Sequence, residues 1–285
     1  MFMWYKKYLS IYAKPFEQLP EGKLVQIKEK MDKLQSNNPI ASVVIIAYNE
    51  SKHLAACLWS LSETKCKYPI EIIGVDNNST DQTAQIFKEC GVKYVLEPKQ
   101  GHGNARNAGL DLAKGDYYIC IDSDTLYPPF YIETIIEAMK MPNVVAAVAR
   151  YGFIKDKGNS AISLFLYEFF RDLSLRYKAI NRPELAVRGL VFAVKTELAK
   201  QVGGFRVDLK RGEDGSMALA VKPYGTIKFI HKKKSNAITG LRIISADGSL
   251  FSAFIIRAKK VLKEFFFYLR KEKADDYKDQ ESNLR

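Results

Sequence analysis

Asp122 and Asp124 stand two residues apart in "CIDSDT", residues 120–125, at the end of an apolar run. An extended backbone points both carboxylates to one side. Two such charges repel each other and any phosphate, unless a hard divalent cation bridges carboxylate and diphosphate oxygens. The pair therefore suits Mg²⁺ or Mn²⁺ held with a nucleotide diphosphate. A polar turn after a strand is the competing account.

Other chemistry-bearing residues gather at comparable places. "VVIIAYNE", residues 43–50, runs from branched apolar residues into Ala47, Tyr48, Asn49 and Glu50. "VDNNSTDQT", residues 75–83, ends a second run at Asp76, an acid able to bond a base edge or a ribose. Ser79-x-x-Gln82 in the same stretch reads as a capping box for the next helix. "KQGHGNARNAGL", residues 99–110, is rich in glycine, but position 106 is arginine and the G-x-G-x-x-G pattern is not met. A lysine and Arg106 near a helix start suit an anionic ligand; a flexible turn with a solvated Arg106 is the plainer alternative. Glu213-Asp214 of "GED" fits either a reacting acid or a helix N-terminus with favourably placed charge.

These residues need a scaffold. Strand-like runs begin near Val43, Glu71, Val92, Tyr117 and Val144, with helical patterns over about 51–64, 79–90, 103–114 and 128–140. Such alternation predicts an α/β fold with a mostly parallel sheet and crossover helices. Ligands then bind beyond the carboxyl ends of the strands, where these polar residues collect. After Arg150 the rhythm breaks into a helix over 159–180, a strand and helix within "GLVFAVKTELAKQVGGF", a loop-to-helix "GEDGSMALAV" and a strand "TIKFI".

Taken together, "VVIIAYNE", "VDNNSTDQT", "GHGNARNAGL", "DSDT", "VGGF" and "GED" resemble the family 2 glycosyltransferases, in order and spacing, over roughly residues 40–230. The resemblance implies a GT-A fold, Rossmann-like, with a mostly parallel sheet flanked by helices and with N- and C-terminal helical extensions. It implies an inverting, metal-dependent glycosyltransferase that uses Mn²⁺ or Mg²⁺ and a nucleotide-diphosphate sugar, a UDP-sugar above others, with a hydroxyl acceptor; the basic tail adds the expectation that this acceptor is lipid-linked or a growing surface glycan. Ala47, Tyr48 and Glu50 are then expected around the nucleotide, with Asp76 at the base, Arg106 nearby, Asp122 towards the ribose, Ser123 beside it and Asp124 on the metal. His231, after "TIKFI", is a second candidate metal ligand, and Asp214 becomes the general base. Arg242 resembles a diphosphate-binding arginine of some members. The chain lacks the Q-x-x-R-W motif, which argues against a processive polysaccharide synthase.

The expected division is an N-terminal helical extension (1–39), a nucleotide-sugar half (40–150), an acceptor half of the same domain (151–235) and a basic amphipathic C-terminal extension (236–285). The charge supports the last boundary: of a net +12, residues 222–273 carry +10, from thirteen Lys/Arg against three Asp/Glu. Apolar residues from Phe251 to Leu269 form one helical stripe opposite lysines and arginines. Residues 250–273 are therefore expected to meet an anionic membrane surface, or to pack on the domain. No run reaches the ~20 apolar residues of a membrane span, and lysines interrupt the N-terminus where a signal peptide needs its apolar stretch. The expected location is cytoplasmic, peripheral on the inner face of the membrane. Four cysteines with no CxxC pair read as reduced thiols, and His53, His102 and His231 lack zinc-type spacing.

Two other functions compete. A metal-dependent nucleotidyltransferase shares the sheet and carboxylates, but usually has a glycine-rich, lysine-bearing loop where this chain has "AYNES". A nucleic-acid-binding protein would use the basic tail, yet the tail's aromatics sit on an amphipathic stripe rather than interleaved with charge as a stacking platform, so no nucleic-acid partner is expected.

Overall fold

The computed structural model describes residues 4–154 and 161–240. The chain divides into two compact units, residues 1–154 with 176–240 and residues 155–175 with 241–285. The sheet and the site belong to the first. Arg242 and the stripe from Phe251 to Leu269 lie outside the described residues.

Two 3-10 turns, Lys6–Ser10 and Phe16–Gln18, precede α1 (Lys23–Asp32). Strand and helix then alternate: β1 (Ala41–Ala47), α2 (Leu54–Ser62), β2 (Ile70–Asp76), α3 (Thr83–Glu89), β3 (Lys93–Leu96), α4 (His102–Leu112) and β4 (Tyr117–Asp122). Next come β5 (Thr125–Leu126), α5 (Tyr131–Met139), β6 (Val144–Val148), β7 (Tyr151–Phe153) and α6 (Ala161–Asn181). The last elements are β8 (Phe192–Lys195), α7 (Thr196–Gln201), α8 (Glu213–Val221), β9 (Thr226–Phe229) and β10 (Ala237–Thr239).

The main sheet has the order β3-β2-β1-β4-β8-β6-β9. Strands β3, β2, β1 and β4 are parallel, β8 runs antiparallel between β4 and β6, and β9 lies parallel to β6. A small second sheet, β5-β10-β7, closes one side. β1 is buried along its whole length, including Ser42, as expected of a central parallel strand covered on both faces. Helix α4 lies so close to the sheet that a Cβ on Gly109 would stand 2.3 Å from Val44 Cγ1. Among the described residues, no helix is long and apolar enough to cross a membrane.

One local expectation fails. The Ser79–Gln82 capping box does not form: α3 begins at Thr83, and Gln82 makes no side-chain cap bond. The Ser79 hydroxyl instead accepts the Asn49 N–H at 3.0 Å, while Asp81 Oδ1 accepts the Thr83 N–H at 3.0 Å. A loop partner outcompetes the helix end for the hydroxyl, the usual rivalry of short polar side chains.

Candidate active site

Register brings the polar strand ends level. Ala47 pairs with Asp76 across β1 and β2, and Ile46 with Asp122 across β1 and β4. Three loops therefore leave the sheet together. The loop after β1 turns through Asn49, which has φ of 53°, a left-handed conformation that asparagine tolerates. Its Oδ1 accepts the Thr80 N–H at 2.8 Å, which ties this loop to the one after β2. Glu50 is buried and meets His53 Nδ1 at 2.8 Å. Tyr48 stays exposed.

Asp76 is buried and accepts the Ser79 N–H at 3.1 Å. Beside it Asn77 donates to the carbonyls of Glu97 and Lys99, at 3.1 and 2.8 Å, and accepts the Gly101 N–H at 2.8 Å. That side chain shapes the approach to α4. The stretch that resembled a phosphate loop is thus braced by an amide from the neighbouring strand end.

From α4 comes the centre of the site. Arg106 is 1% exposed, which excludes the solvated alternative. Its Nη1 donates to the Ile121 carbonyl at 3.2 Å and its Nη2 to Asp122 Oδ1 at 2.6 Å. Its Nε stands 3.6 Å from Asp214 Oδ1, an ion pair just beyond hydrogen-bond length. Asp214 reaches this place because α8 starts at Glu213, directly after Gly212 with φ of 96°. Gly189 leaves the necessary space: a Cβ there would lie 2.4 Å from Asp214 Oδ2 and 2.7 Å from Arg106 Nη2. Tyr127 completes the wall, accepting the Asp122 N–H at 3.1 Å and donating to the Leu190 carbonyl at 2.9 Å.

Burial raises the Asp214 carboxyl; Arg106 opposes that and Glu213 adds to it, so the group is pushed up to about 7. An acid balanced near neutral pH can take a proton and release it again. Asp214 Oδ1 is buried and accepts no hydrogen bond among the described residues. Such an acceptor is costly to leave unfilled.

The structure thus brings Arg106, Asp122 and Asp214 into one cluster and aligns Ala47, Asp76 and Asp122 at the strand ends. Ser123 is buried in the turn after β4. Asp124 is half-buried, and its Oδ1 accepts the Thr125 hydroxyl at 3.2 Å. His231 follows β9 and is exposed. Among the described residues, no three or more His, Cys, Asp and Glu side chains form a group that could hold a metal. Asp124 therefore offers a single hard carboxylate donor, which suits Mg²⁺ or Mn²⁺ only where a bound ligand supplies further oxygens. Gly189, Tyr127 and Asn77 gave no sequence signal as site residues, since each acts through a partner distant in the chain.

The comparisons bear on the family and the fold. The family profile described as Glycosyl transferase family 2 matches residues 42–195. Glycosyltransferase AglE of Haloferax volcanii is 26% identical over 188 residues, which span 64% of this chain and 60% of that protein. The poly-beta-1,6-N-acetyl-D-glucosamine synthase of Staphylococcus epidermidis is 28% identical over 211 residues, spanning 70% of this chain and 49% of that protein. The chain thus spans only about half to three-fifths of these curated relatives. Among solved structures, S. aureus TarS 1–349 superposes with a TM-score of 0.56 at 20% identity, covering 71% of this chain and 61% of that one. The mannosyltransferase PcManGT of Pyrobaculum calidifontis, in complex with GDP-Man and Mn²⁺, gives 0.54 at 18% identity, covering 89% and 73%. The fold is that of the GT-A glycosyltransferases, and the chain belongs to glycosyl transferase family 2.

Proposed function

We propose that this protein is an inverting glycosyltransferase that moves a sugar from a UDP-sugar to a hydroxyl acceptor. The observation that carries this is the buried Asp214, with an unfilled carboxylate oxygen and a proton affinity near neutral, beside Arg106 and Asp122 at the strand ends. TarS is also known in complex with UDP and with UDP-GlcNAc, and GalNAc-T7 with UDP, GalNAc and Mn²⁺, which supports a nucleotide-sugar donor.

Ala47, Tyr48, Glu50 and Asp76 form the nucleotide wall, with Asp76 at the base. Asp122, held by Arg106, bonds the ribose, and Ser123 lies beside it. Arg106 is too buried to serve as a diphosphate anchor; it orients Asp122 and Asp214 instead. Asp124 would hold Mn²⁺ or Mg²⁺, with His231 as a further candidate ligand and the remaining donors supplied by the bound ligand. When bound, the cation supplies positive charge against the leaving diphosphate.

The Asp214 carboxylate, through the part of it that is not buried, accepts the proton of the acceptor hydroxyl. The hydroxyl oxygen forms its bond to the anomeric carbon as the bond from that carbon to the diphosphate breaks. One base opposite the leaving group implies one displacement and inversion. Residues 250–273 bring the enzyme to an anionic membrane surface on its cytoplasmic face, where the acceptor is lipid-linked or a growing surface glycan.

Thermal unfolding of the full chain with UDP or GDP, with and without Mn²⁺, tests the donor class. UDP with Mn²⁺ is expected to raise Tm, by mass action on the native state, and Asp124→Ala to abolish the shift. A folded wild-type sample that no nucleotide stabilises would overturn the proposal.

A further inference from the structure

Family 2 matches residues 42–195, yet a residue well before that region touches the candidate site. Residues 4–12 are anchored on α2. Tyr8 and Ile11 are buried, the Tyr8 ring packs edge-on against Trp59 at 5.0 Å, and the Tyr8 hydroxyl donates to Glu63 Oε2 at 2.7 Å. Lys7 and Lys30 pair with the same carboxylate. The segment therefore has a fixed position without any help from Tyr12.

From that anchor Tyr12 reaches two loops at once. Its hydroxyl donates to the Asp124 carbonyl at 2.8 Å. Its ring stands edge-on to His53, with centroids 4.9 Å apart, and His53 in turn holds Glu50. Gly240, just past β10, completes the corner: a Cβ there would lie 2.8 Å from the Tyr12 hydroxyl. The strand before it, β10, pairs with β5 through Thr239 and Thr125, the residue after Asp124. The half-buried phenol thus lies between the carboxylate-bearing turn and the strand that backs it.

We propose that Tyr12 is a positioning residue for the donor site: it fixes the Asp122–Asp124 turn through the Asp124 carbonyl, and so sets the direction of the Asp124 carboxylate. This rests on the donor-binding role proposed above. A carboxylate aims only as well as its backbone is held, and Asp124 sits in a two-residue turn between β4 and β5. A carbonyl held from outside the sheet limits the turn's rotation. The His53 contact carries the same constraint to Glu50, so one N-terminal side chain sets the spacing of the loops after β1 and β4.

Calorimetric titration of the full chain with UDP, with and without Mn²⁺, tests this on Tyr12→Phe beside Tyr8→Phe. The first removes only the hydroxyl and keeps the ring on His53. The second removes a bond of the same segment that does not touch the site. Tyr12→Phe is expected to weaken Mn²⁺-dependent UDP binding about three- to ten-fold, the size of one net hydrogen bond, and to leave metal-free UDP binding unchanged. Tyr8→Phe is expected to lower Tm and bind like the wild type. Equal binding by Tyr12→Phe and wild type overturns this inference alone, as does an equal loss in Tyr8→Phe. A wild type that binds no UDP with Mn²⁺ overturns the donor role and this inference with it.

Discussion

Asp214 Oδ1 stands 3.6 Å from Arg106 Nε; both atoms are buried, and neither makes a hydrogen bond among the described residues. The pair is electrostatically joined without a hydrogen bond, and the Asp214 side chain keeps 13% of its surface exposed, the face by which an acceptor hydroxyl would approach. Asp214→Asn keeps the shape and removes the base. Its kcat is expected to fall by about 10²–10⁴-fold with UDP binding intact, as read by UDP release and calorimetry. Retained turnover would remove Asp214 from the chemistry.

The same carboxyl makes activity and stability move oppositely with pH. Its folded value near 7 lies above the ordinary carboxylate value, so between about pH 4 and 7 the folded state binds more protons than the unfolded one. This group's contribution to stability therefore falls as pH rises through that window, while the ionised fraction, and with it kcat/KM, rises. Wild type is expected to lose Tm relative to Asp214→Asn between pH 5 and pH 8 on the order of the window predicted by linkage. A constant difference in Tm across that range would contradict the assignment.

Arg106 compensates two carboxylates. Arg106→Leu leaves Asp122 and Asp214 without their cation, and removing one partner of a buried pair costs about 3–5 kcal/mol. Urea unfolding near pH 7 should show that loss, and a smaller one at pH 5, where Asp214 is protonated. Wild-type stability in the variant would mean that the cluster relaxes into solvent.

Gly189→Ala places a methyl group against Asp214 and Arg106 at distances no real Cβ adopts. Overpacking of this kind costs about 1–3 kcal/mol, and the displaced base is expected to lower kcat on the order of 10–100-fold. Steady-state kinetics beside urea unfolding separates the two effects; unchanged kcat would show that the site has slack.

At the N-terminus, burial would raise the Glu63 carboxyl, but hydrogen bonds from Lys7, Tyr8 and Lys30 bring it down to about 2. A depressed acid stabilises the fold above its unfolded value and loses that effect as pH falls through its folded value. The Tm difference between wild type and Glu63→Gln is therefore expected to shrink from about pH 4.5 to pH 2. A difference that persists at pH 2 would point to packing rather than charge.

The parallel half of the sheet was legible because β1, β2 and β4 are mostly apolar, buried runs, of which β2 and β4 stop at an aspartate and β1 leads into Tyr48, Asn49 and Glu50. Asp122, Asp124 and Asp214 were visible as acids in motif positions. The fate of Arg106 was not, since a guanidinium is buried or solvated according to what faces it, and its partners come from two other elements. The antiparallel entry of β8 between β4 and β6 left no periodic trace in a four-residue strand. Tyr12 carries no motif; its contact with the Asp124 carbonyl is a long-range bond that spacing cannot reveal.

That strand order also governs how the chain is made. β3, β2, β1 and β4 come from one continuous stretch and can pair as they leave the ribosome, but β6 has no place beside them until β8 arrives. In the interval β4 presents an open edge, the kind of surface on which nascent chains mispair. Proteolysis of ribosome-arrested chains halted before and after residues 192–195 are exposed should show protection of β4 only in the longer one. The candidate base, carried on α8, is synthesised after β8 but before β9, so the acid that completes the site arrives while the β6 edge still awaits its last strand.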